Sequence, residues 1–135
     1  MAINLDRLVG FHHKAVQVRT QQMEVISGNL ANANTPGYKA RAIDFQQAMT
    51  TARQDQSHQL TRTHEKHIEG NMETRQAEMK FRVPTQPDTG DGNTVDVQQE
   101  RNAFLDAGMR YQASVELLSG KIKGMKKALS SGGGQ

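Results

Sequence analysis

The sequence predicts a mainly α protein, with two long terminal helices forming a coiled-coil-like pair and a small irregular middle region containing a short helix and little β. Three observations carry this. The apolar residues gather at the two ends, each end repeats them at alternating steps of four and three, and the stretch between is polar and lacks a period. Of the 25 Leu, Ile, Val and Phe in 135 residues, ten lie within 1–33 and nine within 95–129, leaving six for the 61 positions between.

The first helix follows Leu5, Val9, His12, Val16, Arg19, Met23, Ile26, Leu30 and Ala33, with His12 and Arg19 as polar interruptions. Steps of four and three place one narrow stripe along a helix, the seam of a coiled coil. Thr35 precedes Pro36, which biases it away from helix. Pro36 then presets the first central position of a turn, and Gly37 supplies positive φ at the second. The helix is therefore expected to end near Asn34. Asn29, Asn32 and Asn34 are poor helix formers gathered in its last turns, and their amides suit carbonyls freed there or across an interface.

The middle, 35–94, offers weaker signals. Asp44-Phe45-Gln46-Gln47 has the form of a capping box, and Phe45, Ala48, Met49 and Ala52 give one apolar face, so a helix over about 45–54 is expected. Met79, Phe81 and Val83 alternate before Pro84, which suits a short edge strand. Residues 53–78 are polar and read as loop.

Asp91-Gly92 marks a turn, and Asp96-Val97-Gln98-Gln99 is a second capping-box form that opens the C-terminal helix. Its seam runs through Val97, Arg101, Phe104, Gly108, Tyr111, Val115, Leu118, Ile122, Met125 and Leu129. At 1.5 Å per residue the two helices are roughly 43 and 50 Å long. A hairpin packing on itself explains either seam alone. The chain thus divides into an N-terminal helix (1–34), a middle (35–94), a C-terminal helix (95–130) and a Gly-rich flexible tail or cloning remnant (131–135) that ends the helix.

Composition excludes several classes. About 19% Leu, Ile, Val and Phe borders on disorder, yet 17 Lys and Arg against 14 Asp and Glu leave a net charge of only +3. With no Trp, two Tyr and four Phe the chain has few large groups to bury. No run is long and apolar enough for a membrane span, and residues 1–10 lack the form of a cleavable signal. The absence of cysteine excludes disulfides and thiolate chemistry.

Candidate chemical constellations favour structural readings. His64-Glu65-Lys66-His67 has its histidines three apart where a zinc helix needs four. Asp88-Thr89-Gly90-Asp91-Gly92-Asn93 puts glycines where a calcium loop needs oxygen ligands. His12-His13, Ser27 and Ser114 lack any acid–base or nucleophile context. No enzyme activity, metal, cofactor or small-molecule substrate is expected. Lys121, Lys123, Lys126 and Lys127 complement the helix dipole, and without an aromatic platform they do not argue for nucleic acid.

Asn29-Leu30-Ala31-Asn32-Ala33-Asn34-Thr35-Pro36-Gly37-Tyr38-Lys39 resembles the N-terminal signature of the bacterial flagellar rod and hook proteins, the axial protein family. Tyr38-Lys39-Ala40-Arg41-Ala42-Ile43-Asp44-Phe45, Asp91-Gly92-Asn93-Thr94-Val95-Asp96 and Arg110-Tyr111-Gln112-Ala113 extend the likeness to its proximal rod members. Gly120-Lys121-Ile122-Lys123-Gly124 favours one of two siblings of similar length. The family motif here is Asn29, Asn32, Asn34, Thr35, Pro36, Gly37 and Tyr38.

The resemblance implies a structural subunit of the basal-body proximal rod. Its two seams would form the inner layer of a hollow drive shaft, with 38–90 outside. It also implies export, unfolded, by the flagellar type III system without signal cleavage, and a periplasmic site. The partners implied are other copies, other rod proteins, the rod-base adaptor, the membrane ring and the export gate. Ile3, Leu5, Leu8 and Val9 are the apolar residues available as an export signal, and Phe45 with Met49 resembles a gate-recognition pattern. The alternative from another class is a free-standing helical adaptor that binds an acidic surface through its C-terminal lysines.

Overall fold

The computed structural model describes residues 5–57, 78–85 and 90–131. In chain order these form α1 (Leu5–Ala31), β1 (Arg41–Ile43), α2 (Phe45–Ser57), β2 (Met79–Phe81) and α3 (Val97–Ser131). At 1.5 Å per residue, the 27 residues of α1 span about 40 Å and the 35 of α3 about 52 Å. The end of α1 lies beside the approach to α3, where Asn93 bonds the carbonyls of Asn32 and Ala33. The two helices therefore run antiparallel, and the middle segment packs on their clasped half.

Local chemistry explains the boundaries. The α1 ladder tightens at its end, where the Asn32 amide is shared between the Gly28 and Asn29 carbonyls and Ala33 bonds Leu30. The helix stops at Ala31, three residues before the position expected from Pro36. Tyr38 N–H then bonds the Thr35 carbonyl at 3.2 Å, closing the predicted Thr35-Pro36-Gly37-Tyr38 turn with Gly37 at φ 72°.

Asp44 caps α2 through Gln47 N–H at 3.1 Å, and Asp96 caps α3 through the amides of Gln98 and Gln99 at 3.0 and 3.1 Å. The reciprocal half of each box is used elsewhere. The Gln47 side chain ties α2 to Glu78 and Lys80, and that of Gln99 accepts from Arg82. The α2 helix extends to Ser57, so the first residues of the expected 53–78 loop are helical. Residues 58–77 of that loop, with His64-Glu65-Lys66-His67, lie outside the described residues.

Two further differences concern β1 and the end of α3. Arg41–Ile43, for which no strand was expected, is a strand paired antiparallel with β2 in the register Arg41↔Phe81, Ala42↔Lys80 and Ile43↔Met79. β2 is the expected edge strand, but its alternating residues face solvent: Met79, Phe81 and Val83 are all exposed. At the C-terminus, the helix runs on to Ser131, one residue past its expected end, the Ser130 hydroxyl bonding the Lys127 carbonyl. The last turn therefore holds no lysine, and the lysine cluster lies before the strongest part of the dipole.

The core is not the junction of the two seams. Ala15, Val18, Ile43 and Met49 are buried together, with Phe11, Val25, Phe45 and Ala48 packed around them. On α1 this core uses a second stripe at four-and-three spacing, Phe11, Ala15, Val18, Gln22, Val25 and Asn29, adjacent to the predicted one. The middle segment covers that stripe, and Gln22 donates to the Ile43 carbonyl at 2.9 Å. The few apolar residues of the middle thus complete the core of α1.

Candidate functional site

Two places in the molecule carry the residues singled out by sequence. The first is a clasp around the Asn-rich motif. The Asn29 side chain is fully buried; its amide donates to the Arg41 carbonyl at 2.8 Å, and its oxygen accepts from Arg41 N–H at 3.0 Å and from the Tyr38 hydroxyl at 3.3 Å. Asn29 thereby fixes the start of β1 against the last turn of α1. Asn32 donates to the Gly28 carbonyl at 2.8 Å and accepts from the Thr35 hydroxyl at 3.2 Å. Asn34 and Pro36 are exposed on the turn.

The other half of the clasp comes from 91–95. The buried Asn93 amide donates to the carbonyls of Asn32, Ala33 and Thr35 at 3.0, 2.9 and 2.9 Å, while its oxygen accepts from Val95 N–H at 2.8 Å. It caps a helix that ended some 60 residues earlier. Gly37 N–H bonds the Asp91 carbonyl, Lys39 Nζ bonds the Gly92 carbonyl at 2.7 Å, and the Thr94 hydroxyl accepts from Ala40 N–H at 2.8 Å. Gly90 and Gly92 hold positive φ, and Asp91 Oδ1 accepts from Asn93 N–H, so this turn serves the clasp.

Asn29, Asn32 and Asn34 belong to the motif visible in the sequence, whereas Asn93 lies outside it. Its signal was local: an asparagine directly after the Asp-Gly turn.

A buried ion pair braces the clasp. Glu100 is fully buried and pairs with Arg82 at 2.5 Å, while Arg82 N–H bonds the Ala40 carbonyl. Among the described residues, Glu100 Oε2 and Arg19 Nε are buried without a hydrogen-bond partner. Arg19, the polar interruption of the first seam, lies over the Phe45 ring at 3.5 Å and donates to Gln22. Burial, and then the charge of Arg110, hold its guanidinium below the ordinary arginine range, with Asp106 opposing.

The second place is the pair of seams. α1 meets α3 along its predicted stripe, but α3 answers with a stripe shifted by one residue at alternate positions. Glu100 and Ala107 are buried there, and Phe104, Tyr111, Ser114, Leu118 and Met125 are half-buried. The intervening predicted positions Val115, Ile122 and Leu129 are 38, 47 and 72% exposed. On α1, Val9, Val16, Met23 and Leu30 are half-buried and Ile26 is buried. Met23, Phe104 and Tyr111 line a groove of about 490 Å³ with Thr20, Glu24 and Ser27.

The export-signal candidates fall on both sides of the fold. Ile3 lies outside the described residues, Leu5 and Leu8 are in the first turns of α1, Phe45 is half-buried under Arg19 and Met49 is buried in the core. Among the described residues no cluster of His, Asp and Glu is arranged for a metal, and no helix is long and apolar enough to cross a membrane.

Known proteins are similar to this sequence along nearly its whole length. The sequence profile of the family described as "Flagella basal body rod protein" matches residues 11–39, the span from α1 into the clasp. The flagellar basal body rod protein FlgB of Aeromonas hydrophila is 49% identical over 129 residues, 96% of this chain and 97% of that protein. FlgB of Escherichia coli K12 is 44% identical over 138 residues, and FlgB of Salmonella typhimurium is 38% identical, each alignment covering 98% of this chain and 99% of the relative. The chain belongs to the FlgB family of flagellar basal body rod proteins.

FlgB proteins are structural components of the flagellar basal body, not enzymes. The clasp of this chain joins backbone to side chain across the fold. In the FlgB family the signature that sequence alone picks out is thus a structural junction in this chain.

Proposed function

We propose that this FlgB-family chain is a subunit of the proximal rod, exported unfolded by the flagellar type III system and polymerised in the periplasm into a hollow shaft that transmits torque. The observation that carries the reading is similarity to FlgB proteins over nearly the full chain, together with a seam on α3 that the described residues leave half open. Unclosed heterologous contacts repeat into a helical stack, as a shaft requires. The two terminal helices form the inner layer, with the middle segment outside. The neighbours are further copies, other rod proteins, the rod-base adaptor, the membrane ring and the export gate.

Export of an unfolded chain accords with a composition that has no disulfides and few large apolar side chains. It also bears on Phe45 and Met49, which a gate could read only before the core forms around them. Ile3, Leu5, Leu8 and Val9 serve as the N-terminal export signal.

The test is complementation. The gene should restore swimming to a bacterium lacking its own FlgB, and Leu118→Asp should abolish swimming while secretion continues, because the charge enters the seam far from the N-terminus. Failure of the unaltered gene to restore basal bodies would overturn the reading. A motile Leu118→Asp strain would show that the wrong face was chosen.

A further inference from the structure

Outside the clasp, six of the nine large apolar side chains exposed among the described residues stand on α3, and they form two distinct parts. One flanks the contact with α1: Val115, Ile122 and Leu129 recur every seven residues, 38, 47 and 72% exposed, continuing the groove that Met23, Phe104 and Tyr111 line. The seven-residue interval keeps these side chains on one line, so the open surface is a furrow parallel to the helices and shaped for another helix. The other part lies on the outer side of α3. Leu105, Met109 and Leu117 are 66, 64 and 62% exposed, and with Ala113 they recur every four residues. Residues at four-residue steps form a continuous ridge, the form that packs into the furrow of a neighbouring helix.

The described chain offers no better occupant. The exposed side of α1 presents His13, Thr20, Glu24 and Ser27, which are polar. The α3 ridge is the exposed apolar surface with the form of a helix. Charge agrees with the pairing: Glu24 stands on the α1 wall of the groove, while the outer side of α3 carries Arg101, Arg110, Lys123 and Lys127 against Asp106 and Glu116.

We propose that the Leu105–Met109–Leu117 ridge of one copy seats in the α1–α3 furrow of a second copy, against Met23, Tyr111, Val115 and Ile122. Ridge and furrow lie on different sides of α3, so every copy that donates its ridge keeps its own furrow open. The contact is heterologous and need not close, which makes it a propagating one. The inference rests on the reading of the chain as a rod subunit and names the faces that reading leaves open.

Two exposed positions separate the faces without touching the core. Met109→Asp removes the ridge and leaves the furrow, and Ile122→Asp does the reverse. Analytical ultracentrifugation of the purified full chain should give a concentration-dependent series of oligomers, and each variant alone should sediment as a monomer with an unchanged helical circular dichroism spectrum. An equimolar mixture should give dimers and nothing larger, because the intact ridge of one variant fits the intact furrow of the other.

A mixture that stays monomeric overturns the pairing, as does either variant associating like the parent, or a parent that is monomeric at every concentration. The underlying reading fails separately. A parent gene that does not restore swimming overturns it, whereas a motile complemented strain with a monomeric mixture overturns only the assignment of faces.

Discussion

Where α1 ends, Asn29, Asn93 and Glu100 are buried and the turn 32–38 is stitched to 91–95 by side-chain and backbone hydrogen bonds. Along the distal half of α3, Val115, Leu117, Ile122 and Leu129 stand exposed. One region is finished by its own chain, through directional bonds between segments far apart in sequence. The other has an apolar face that the described residues leave uncovered. The difference separates the part of the fold that defines the subunit from the part available to a neighbour.

This comparison can be broken most sharply at the buried ion pair. Arg82→Ala leaves Glu100 buried without its cation and should cost about 3–5 kcal/mol, read as a lower urea midpoint. Arg110→Ala, which removes the half-exposed pair with Asp106 together with a repulsion on Arg19, should cost under ~1 kcal/mol by the same measurement. Equal effects would mean that the clasp is not the stable region. Asn29→Ala strands both polar groups of Arg41 and should cost about 3 kcal/mol, with faster amide exchange over 38–43.

Asn93→Ala removes the distant cap of α1 and should cost about 2 kcal/mol, with exchange rising at residues 32–38 and little change beyond Tyr111. Smallest of all, Leu129→Ser should alter the stability of the isolated chain by less than ~0.5 kcal/mol, since its side chain is 72% exposed. A large loss at Leu129 would mean that the distal helix is already covered within one subunit.

Local sequence made much of this fold legible. Asp44 and Asp96 cap where their spacing to Gln47 and Gln99 predicts, Pro36 and Gly37 make the turn their backbone preferences require, and α3 begins at Val97. Less legible was the second stripe of α1. Phe11, Ala15, Val18, Gln22, Val25 and Asn29 have the same four-and-three rhythm as the predicted seam, but Ala, Gln and Asn weaken its apolar signal, and the partner that buries it, 40–49, is a short segment of low periodicity. The contact of Arg19 with Phe45 likewise depends on a residue 26 positions away, which made Arg19 look like a defect in a seam.

By itself the sequence determined the periodic and local features: two long helices, their caps, the turn after the asparagines, and membership of a flagellar axial family through its motif. Periodicity and capping are short-range, set by backbone geometry over a few residues, so they can be read in order along the chain. Only the tertiary structure decided that Asn93 caps α1, that Glu100 is buried against Arg82, and which edge of the α3 seam stays open. Each of these depends on bringing together groups far apart in sequence, where a hydrogen bond or a rotation of one residue about a helix axis changes which side chains are buried, and no local pattern records that outcome.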